Sequence, residues 1–136
     1  MVSEKQSTTG PRIVAGFALV FGILTIVSGG QVLFGGPEAQ AAAGNAVDFV
    51  LWFNFLSGFA YVAAAIGIAM RKDWARRLSV GLAVAIVAVF ALFGWHIFAG
   101  GAYEMRTLGA MVLRSVVWIG IAVYVQRLAR TAWFQA

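Results

Sequence analysis

Few side chains in this sequence are equipped for chemistry, and most of them fall in two places. One is the run carrying His96, Tyr103, Glu104, Arg106 and Arg114; the other is Asn54, Ser57 and Tyr61, set at three- and four-residue steps. Arg114 is the most informative, because it stands inside an otherwise apolar stretch. A guanidinium keeps its charge at any ordinary pH and offers five donors in a rigid fork. Buried in a membrane, it needs a partner. Three partners fit. Asp48 or Glu104, with helix-end carbonyls, would fix the register of a bundle. An anion, a lipid head group or a quinone carbonyl would make the residue a ligand contact. An acidic group on a second subunit would make it an assembly contact.

Thr107, Met111, Arg114 and Trp118 recur at three- and four-residue spacing, so they share one helical face, which is expected to turn inward. Asn54, Ser57, Gly58 and Tyr61 mark a second such face. Asn54 is expected to hydrogen-bond across to another helix, with a ligand contact as the alternative. The one histidine, His96, cannot supply both axial ligands of a haem unless two chains meet. Copper would suit His96 with Met105 and Met111, but no tight His/Met spacing supports it. A hydrogen-bonded interfacial histidine is expected instead. The candidate ligand-binding set is Asn54, Tyr61, His96, Tyr103, Glu104 and Arg114, with no catalytic residue and no metal ligand nominated. Quinone and haem stay open as cofactors, and the sequence requires neither.

Several chemistries are excluded outright. There is no cysteine, hence no disulfide, thiolate metal site or cysteine nucleophile. No carboxylate lies in the middle of an apolar stretch, which argues against an exporter that charges and discharges a central acid. No serine–histidine–acid set has plausible spacing, and no glycine-rich phosphate loop follows a strand.

The elements that must position these residues follow from composition. Of 136 residues, 62% are apolar and 11% charged, against roughly half and a quarter in soluble domains. A water-soluble chain this small could not bury so much apolar surface. Four apolar stretches, at residues 13–34, 47–70, 78–98 and 108–125, each approach the length that crosses a bilayer. The fold class expected is all-α: a four-transmembrane-helix bundle, polytopic, with one domain over residues 12–130 between tails at 1–11 and 131–136. Thr9-Gly10-Pro11, Asn45 with Asp48, Asp73 and Thr107 are expected to cap the four helices. Gly35-Gly36-Pro37 and Gly100-Gly101 are expected to end the first and third.

Basic residues set the orientation. Lys5 and Arg12 precede the first stretch, Arg71, Lys72, Arg76 and Arg77 fill the second loop, and Arg127 and Arg130 follow the fourth. The other side holds Glu38, Asp48 and Glu104 with only Arg106. Both termini are therefore expected in the cytoplasm. The net charge of +5 belongs to this topology and not to nucleic-acid binding. Ala39-Gln40-Ala41 has the form of a signal-peptidase site, but the first stretch is longer than a signal core and stands back from it, so the span is expected to be retained. Small residues at four-residue steps (Ala18 and Gly22, Ala60 and Ala64, Ala63 and Gly67, Gly81 and Ala85) suit close helix packing in lipid, within the bundle or in a homodimer or larger complex. Trp52, Trp74, Trp95, Trp133 and Tyr103 suit the interface belt, and Trp118 the interior.

Arg12, Gly29-Gly30-Gln31 and Gly35-Gly36 resemble the DoxX-like group of small bacterial membrane proteins. The resemblance covers mostly the first half. It implies a four-span inner-membrane protein, in a group with suggested links to quinone-dependent oxidation and redox defence, and it carries over no catalytic residue. The expected function is an accessory or assembly subunit without enzymatic activity. The alternatives are a quinone-linked oxidoreductase component and a small solute or metal-ion carrier acting as an oligomer.

Overall fold

The computed structural model describes residues 8–44 and 47–135. Five helices follow in order: α1 (Thr9–Phe34), α2 (Pro37–Ala43), α3 (Asp48–Ala69), α4 (Asp73–Phe98) and α5 (Met105–Ala129). All but α2 are long and apolar enough to cross a bilayer. Among the described residues there is no strand, only an isolated bridge between Lys72 and Gln135. The chain is an all-α bundle of four membrane-length helices.

The apolar stretches sit inside these helices to within a residue. α1, α4 and α5 begin earlier than hydropathy predicts, because their first turns hold Arg12, Arg76 with Arg77, and Arg106. The expected caps are not made. Thr8, Lys72 and Glu104 occupy the cap positions without side-chain hydrogen bonds, which leaves Thr9, Asp73 and Thr107 inside the first turns. Pro11 is tolerated there because first-turn N–H groups have no intrahelical acceptor. Asp73 pairs instead with Arg76 and Arg77 at 3.0 and 3.2 Å. Asn45, half of the expected capping box of α3, lies outside the described residues, as does Lys5. Helix α2 was not legible in hydropathy; it starts at Pro37, after Gly36 at φ 91°.

α1 packs on α3, α3 on α4, and α4 on α5. The α1–α3 crossing is backbone on backbone. A Cβ added to Gly22 would lie 3.0 Å from the Gly58 carbonyl oxygen, and one added to Gly58 would lie 3.2 Å from the Gly22 oxygen. Only glycine permits that approach. Helix α5 closes the bundle against α1 through long side chains, among them Arg114 and Tyr124, whose hydroxyl covers Gly10. Of the Gly81–Ala85 pair, Gly81 faces outward with nothing within 4 Å of an added Cβ, so it makes no close helix contact among the described residues.

Large apolar side chains line the outside at mid-helix, including Phe17, Leu24, Val84 and Val116. Such a surface needs lipid. Trp52, Trp74 and Trp95 are exposed near helix ends, as an interface belt requires, and Trp118 is fully buried. Trp133 is a correction. It is only 3% exposed, because residues 131–135 fold back on the α3–α4 turn. Its Nε1–H donates to the Ile68 carbonyl at 3.0 Å, and the Arg71 guanidinium lies 4.5 Å from its ring centroid. The Arg71 Nε–H donates to the Trp133 carbonyl at 2.9 Å, and backbone bonds tie Gln135 to Arg71 and Asp73. The expected C-terminal tail is thus a clasp on the basic end of the bundle.

Candidate functional site

The opposite end holds a cavity of about 170 Å³ at the junction of α1, α3 and α5. Its polar lining is Thr25 and Ser28 from α1, Asn54 from α3, and Arg106, Thr107 and Arg114 from α5. Among the described residues, no carboxylate lines it.

Arg114 enters because α5 runs inward from Met105 and side chains on a helix lean toward its N-terminus. Its Nη1 donates to the Ala110 carbonyl at 3.4 Å and its Nη2 to Thr25 Oγ1 at 3.3 Å, while its Cζ lies 5.7 Å from the Phe21 ring centroid. The residue is 9% exposed, and its Nε–H is buried without a partner. Neither Asp48 nor Glu104 pairs with it; among the described residues the ion pairs are those of Asp73. The structural partner expected of Arg114 is therefore a hydroxyl on α1, not a carboxylate. Charge is left uncompensated in the protein interior, a costly arrangement.

Asn54 is also 9% exposed, and its Oδ1 is buried with no hydrogen-bond partner. The interhelical bond expected of it is not made. Ser57 turns its hydroxyl to the Asn54 carbonyl at 3.0 Å. The Tyr61 hydroxyl lies beside Ser57 and the Arg114 guanidinium, without a well-formed hydrogen bond to either. Trp118 Nε1–H is likewise unsatisfied. Buried polar groups are nearly always paired in native proteins. Here four unpaired atoms, from Asn54, Tyr61, Arg114 and Trp118, fall on the inward faces of α3 and α5.

Phe21, Tyr61 and Trp118 form an aromatic layer below the cavity. The Phe21 and Tyr61 centroids are 5.7 Å apart, and those of Tyr61 and Trp118 are 4.8 Å apart. Each residue lies thirteen positions from the cavity end of its own helix, about 20 Å at 1.5 Å per residue. With Tyr61 and Trp118 fully buried, the layer separates the cavity from the basic half of the bundle.

Three of the six expected ligand contacts lie elsewhere. His96 closes the α4–α5 turn, its Nε2 2.9 Å from the Ala102 carbonyl, and its ring meets Phe49 edge-on at 6.3 Å. Tyr103 packs against Phe93 of α4 at 6.2 Å. Glu104 sits against Gly44. Met111 is fully buried and Met105 exposed, so they do not gather with His96. Among the described residues no cluster of three His, Asp or Glu side chains forms. Asn54, Tyr61 and Arg114 do come together, joined by Thr25, Ser28 and Thr107. Thr25 and Ser28 carried a signal that went unread: they are the only hydroxyl residues in 13–34, and Thr25 continues the inward row Ala15, Ala18 and Gly22.

Comparison with protein-family models, with curated proteins and with solved structures finds no match for this chain.

Proposed function

We propose that this chain is a non-enzymatic accessory subunit of a bacterial inner membrane that holds the polar head of a lipid-soluble molecule in the Arg114 cavity. One observation carries the reading: a guanidinium 9% exposed, beside a cavity whose lining has no carboxylate. A charge that cannot be shed, in an interior without a counter-charge, calls for an acceptor from outside the chain. The lining also lacks a histidine or acid to move protons near neutral pH, which favours holding over turnover. The basic residues at the clasped end support a cytoplasmic position for that end, with the cavity on the other side.

The test is native mass spectrometry of the full chain released from mild detergent. The expected result is a co-purified small molecule that Arg114→Met loses. Retention of the same molecule by that variant, with its helical circular dichroism intact, would overturn the reading.

A quinone-linked role is the second reading, favoured by the Phe21–Tyr61–Trp118 aromatic layer beside the guanidinium, its neighbouring rings inclined by 25° and 30°. Size weighs against it. A cavity of about 150 Å³ holds one benzene, so a fully substituted quinone ring would require this one to widen. The ultraviolet spectrum of the extracted molecule separates the two. A carrier role is disfavoured by the closed aromatic layer. The DoxX-like resemblance brings no residue to the cavity.

A further inference from the structure

Building on the binding role proposed above, we infer that the group held at Arg114 is a phosphate, delivered sideways from the bilayer as the head of an anionic phospholipid. Two side chains that are nine-tenths buried, Arg114 and Asn54, line the same cavity. Arg114 carries an unpartnered Nε–H donor, and Asn54, whose unpartnered atom is its Oδ1 acceptor, meets a phosphate with its amide rotated to offer the NH2 group. Arg106 adds a second guanidinium at the mouth, eight residues earlier on α5. That separation is about 12 Å of helix rise, shortened by the backward lean of Arg114 toward Ala110. A carboxylate would be satisfied by one fork. A phosphodiester offers more oxygens and meets donors at two heights, the usual preference of arginine clusters. The Thr25 hydroxyl, which accepts from Arg114, keeps its own proton to donate, and Thr107 adds another.

Access from the side follows from packing. α1 approaches α5 through side chains, whereas α1 with α3, α3 with α4 and α4 with α5 pack more closely. Ser28 stands on that seam, exposed, with its hydroxyl turned to its own Leu24 carbonyl at 2.7 Å. The seam therefore presents a small, internally satisfied residue to lipid at the level of the cavity. Depth agrees. Arg114 Nη1 lies at the Ala110 carbonyl, five residues inside the start of α5, about 8 Å along the helix. A head group reaches that level by sinking slightly while its acyl chains stay in the bilayer.

The experiment uses the full chain in neutral detergent and native mass spectrometry. Phosphatidylglycerol and diacylglycerol with identical acyl chains are offered together, and inorganic phosphate is then added. The expected result is a preference for phosphatidylglycerol of about tenfold or more, the worth of one charged hydrogen bond. Arg114→Met abolishes it. Ala110→Leu, which fills the cavity and leaves every charge in place, abolishes it too. Because the cytoplasmic arginines are untouched in both variants, their contribution cancels. Inorganic phosphate is expected neither to displace the lipid nor to raise the thermal midpoint; displacement would make the free ion the source and overturn delivery from the bilayer. Equal retention of both lipids, or a preference that survives Arg114→Met or Ala110→Leu, would overturn the inference. A co-purified molecule without phosphate, lost on Arg114→Met, would leave the binding role standing and sink only the phosphate assignment.

Discussion

Arg114 of α5 donates to Thr25 Oγ1 of α1 at 3.3 Å, across the seam where these two helices are held apart by side chains. A hydroxyl acceptor fixes the direction of a guanidinium without cancelling its charge. The same contact therefore aims the group and leaves it receptive. On the binding role proposed above, this contact prepares the partner for a group from outside the chain.

One consequence concerns stability without ligand. A buried charge that lacks a counter-charge is costly, and replacing buried ionic groups by apolar side chains of similar length is often neutral or stabilising. Arg114→Met is expected to leave stability unchanged or raise it by about 1 kcal/mol, because the freed Thr25 hydroxyl can turn to its own helix. Thermal unfolding in lipid-free detergent checks this. A clear loss would return Arg114 to a structural role.

The two kinds of small-residue position should respond oppositely. Gly58 faces α1, where an added Cβ would lie 2.8 Å from Ile26 Cγ1 and 3.2 Å from two backbone atoms. Gly58→Val is expected to cost about 2 kcal/mol by overpacking. Gly81 has nothing within 4 Å, so Gly81→Ala is expected to gain about 0.5 kcal/mol through helix propensity. Paired unfolding curves decide, and equal effects would mean that α1 and α3 do not meet at Gly58.

His96 and Arg114 should separate cleanly. The His96 ring bridges α4 to the Ala102 carbonyl, away from the cavity. His96→Leu is therefore expected to lose about 1 kcal/mol for that hydrogen bond while retaining the bound molecule in full. Loss of the molecule in this variant would show that the site extends to the α4–α5 turn.

The sequence made some of this legible for definite reasons. Spans are readable because lipid imposes a long apolar run on each helix, and the Thr107–Met111–Arg114–Trp118 face because helical spacing is rigid. Convergence in space was not. His96, Tyr103 and Glu104 share the cavity's end of the bundle, and nothing in their spacing says that His96 meets the α4–α5 loop, that Tyr103 packs on α4 or that Glu104 sits against Gly44. Thr25 escaped notice because one hydroxyl in an apolar helix is common, and only its alignment with Gly22 gives it direction. The caps failed because first-turn residues at a bilayer surface reach water or other charges, as Asp73 does with Arg76 and Arg77.

The C-terminal clasp is the remaining feature that sequence reading left loose, and it makes a sharp prediction. Arg71 and Ala132 both hold positive φ, at 63° and 59°, conformations that cost about 1 kcal/mol or more for residues with a Cβ and persist only when their surroundings impose them. Here the surroundings are Trp133 and Gln135: the indole fills a buried site and bonds Ile68, and the Gln135 backbone pairs with both sides of the α3–α4 turn. Trp133→Ala is expected to cost about 3 kcal/mol and to raise hydrogen exchange at Lys72 and Asp73, whose amides bond Gly67 and Gln135. The cavity lies at the opposite end, beyond the aromatic layer, so binding at Arg114 should persist in whatever fraction stays folded. Exchange unchanged in the turn would mean that the clasp does not hold it, and binding lost with the fold intact would mean that the two ends communicate.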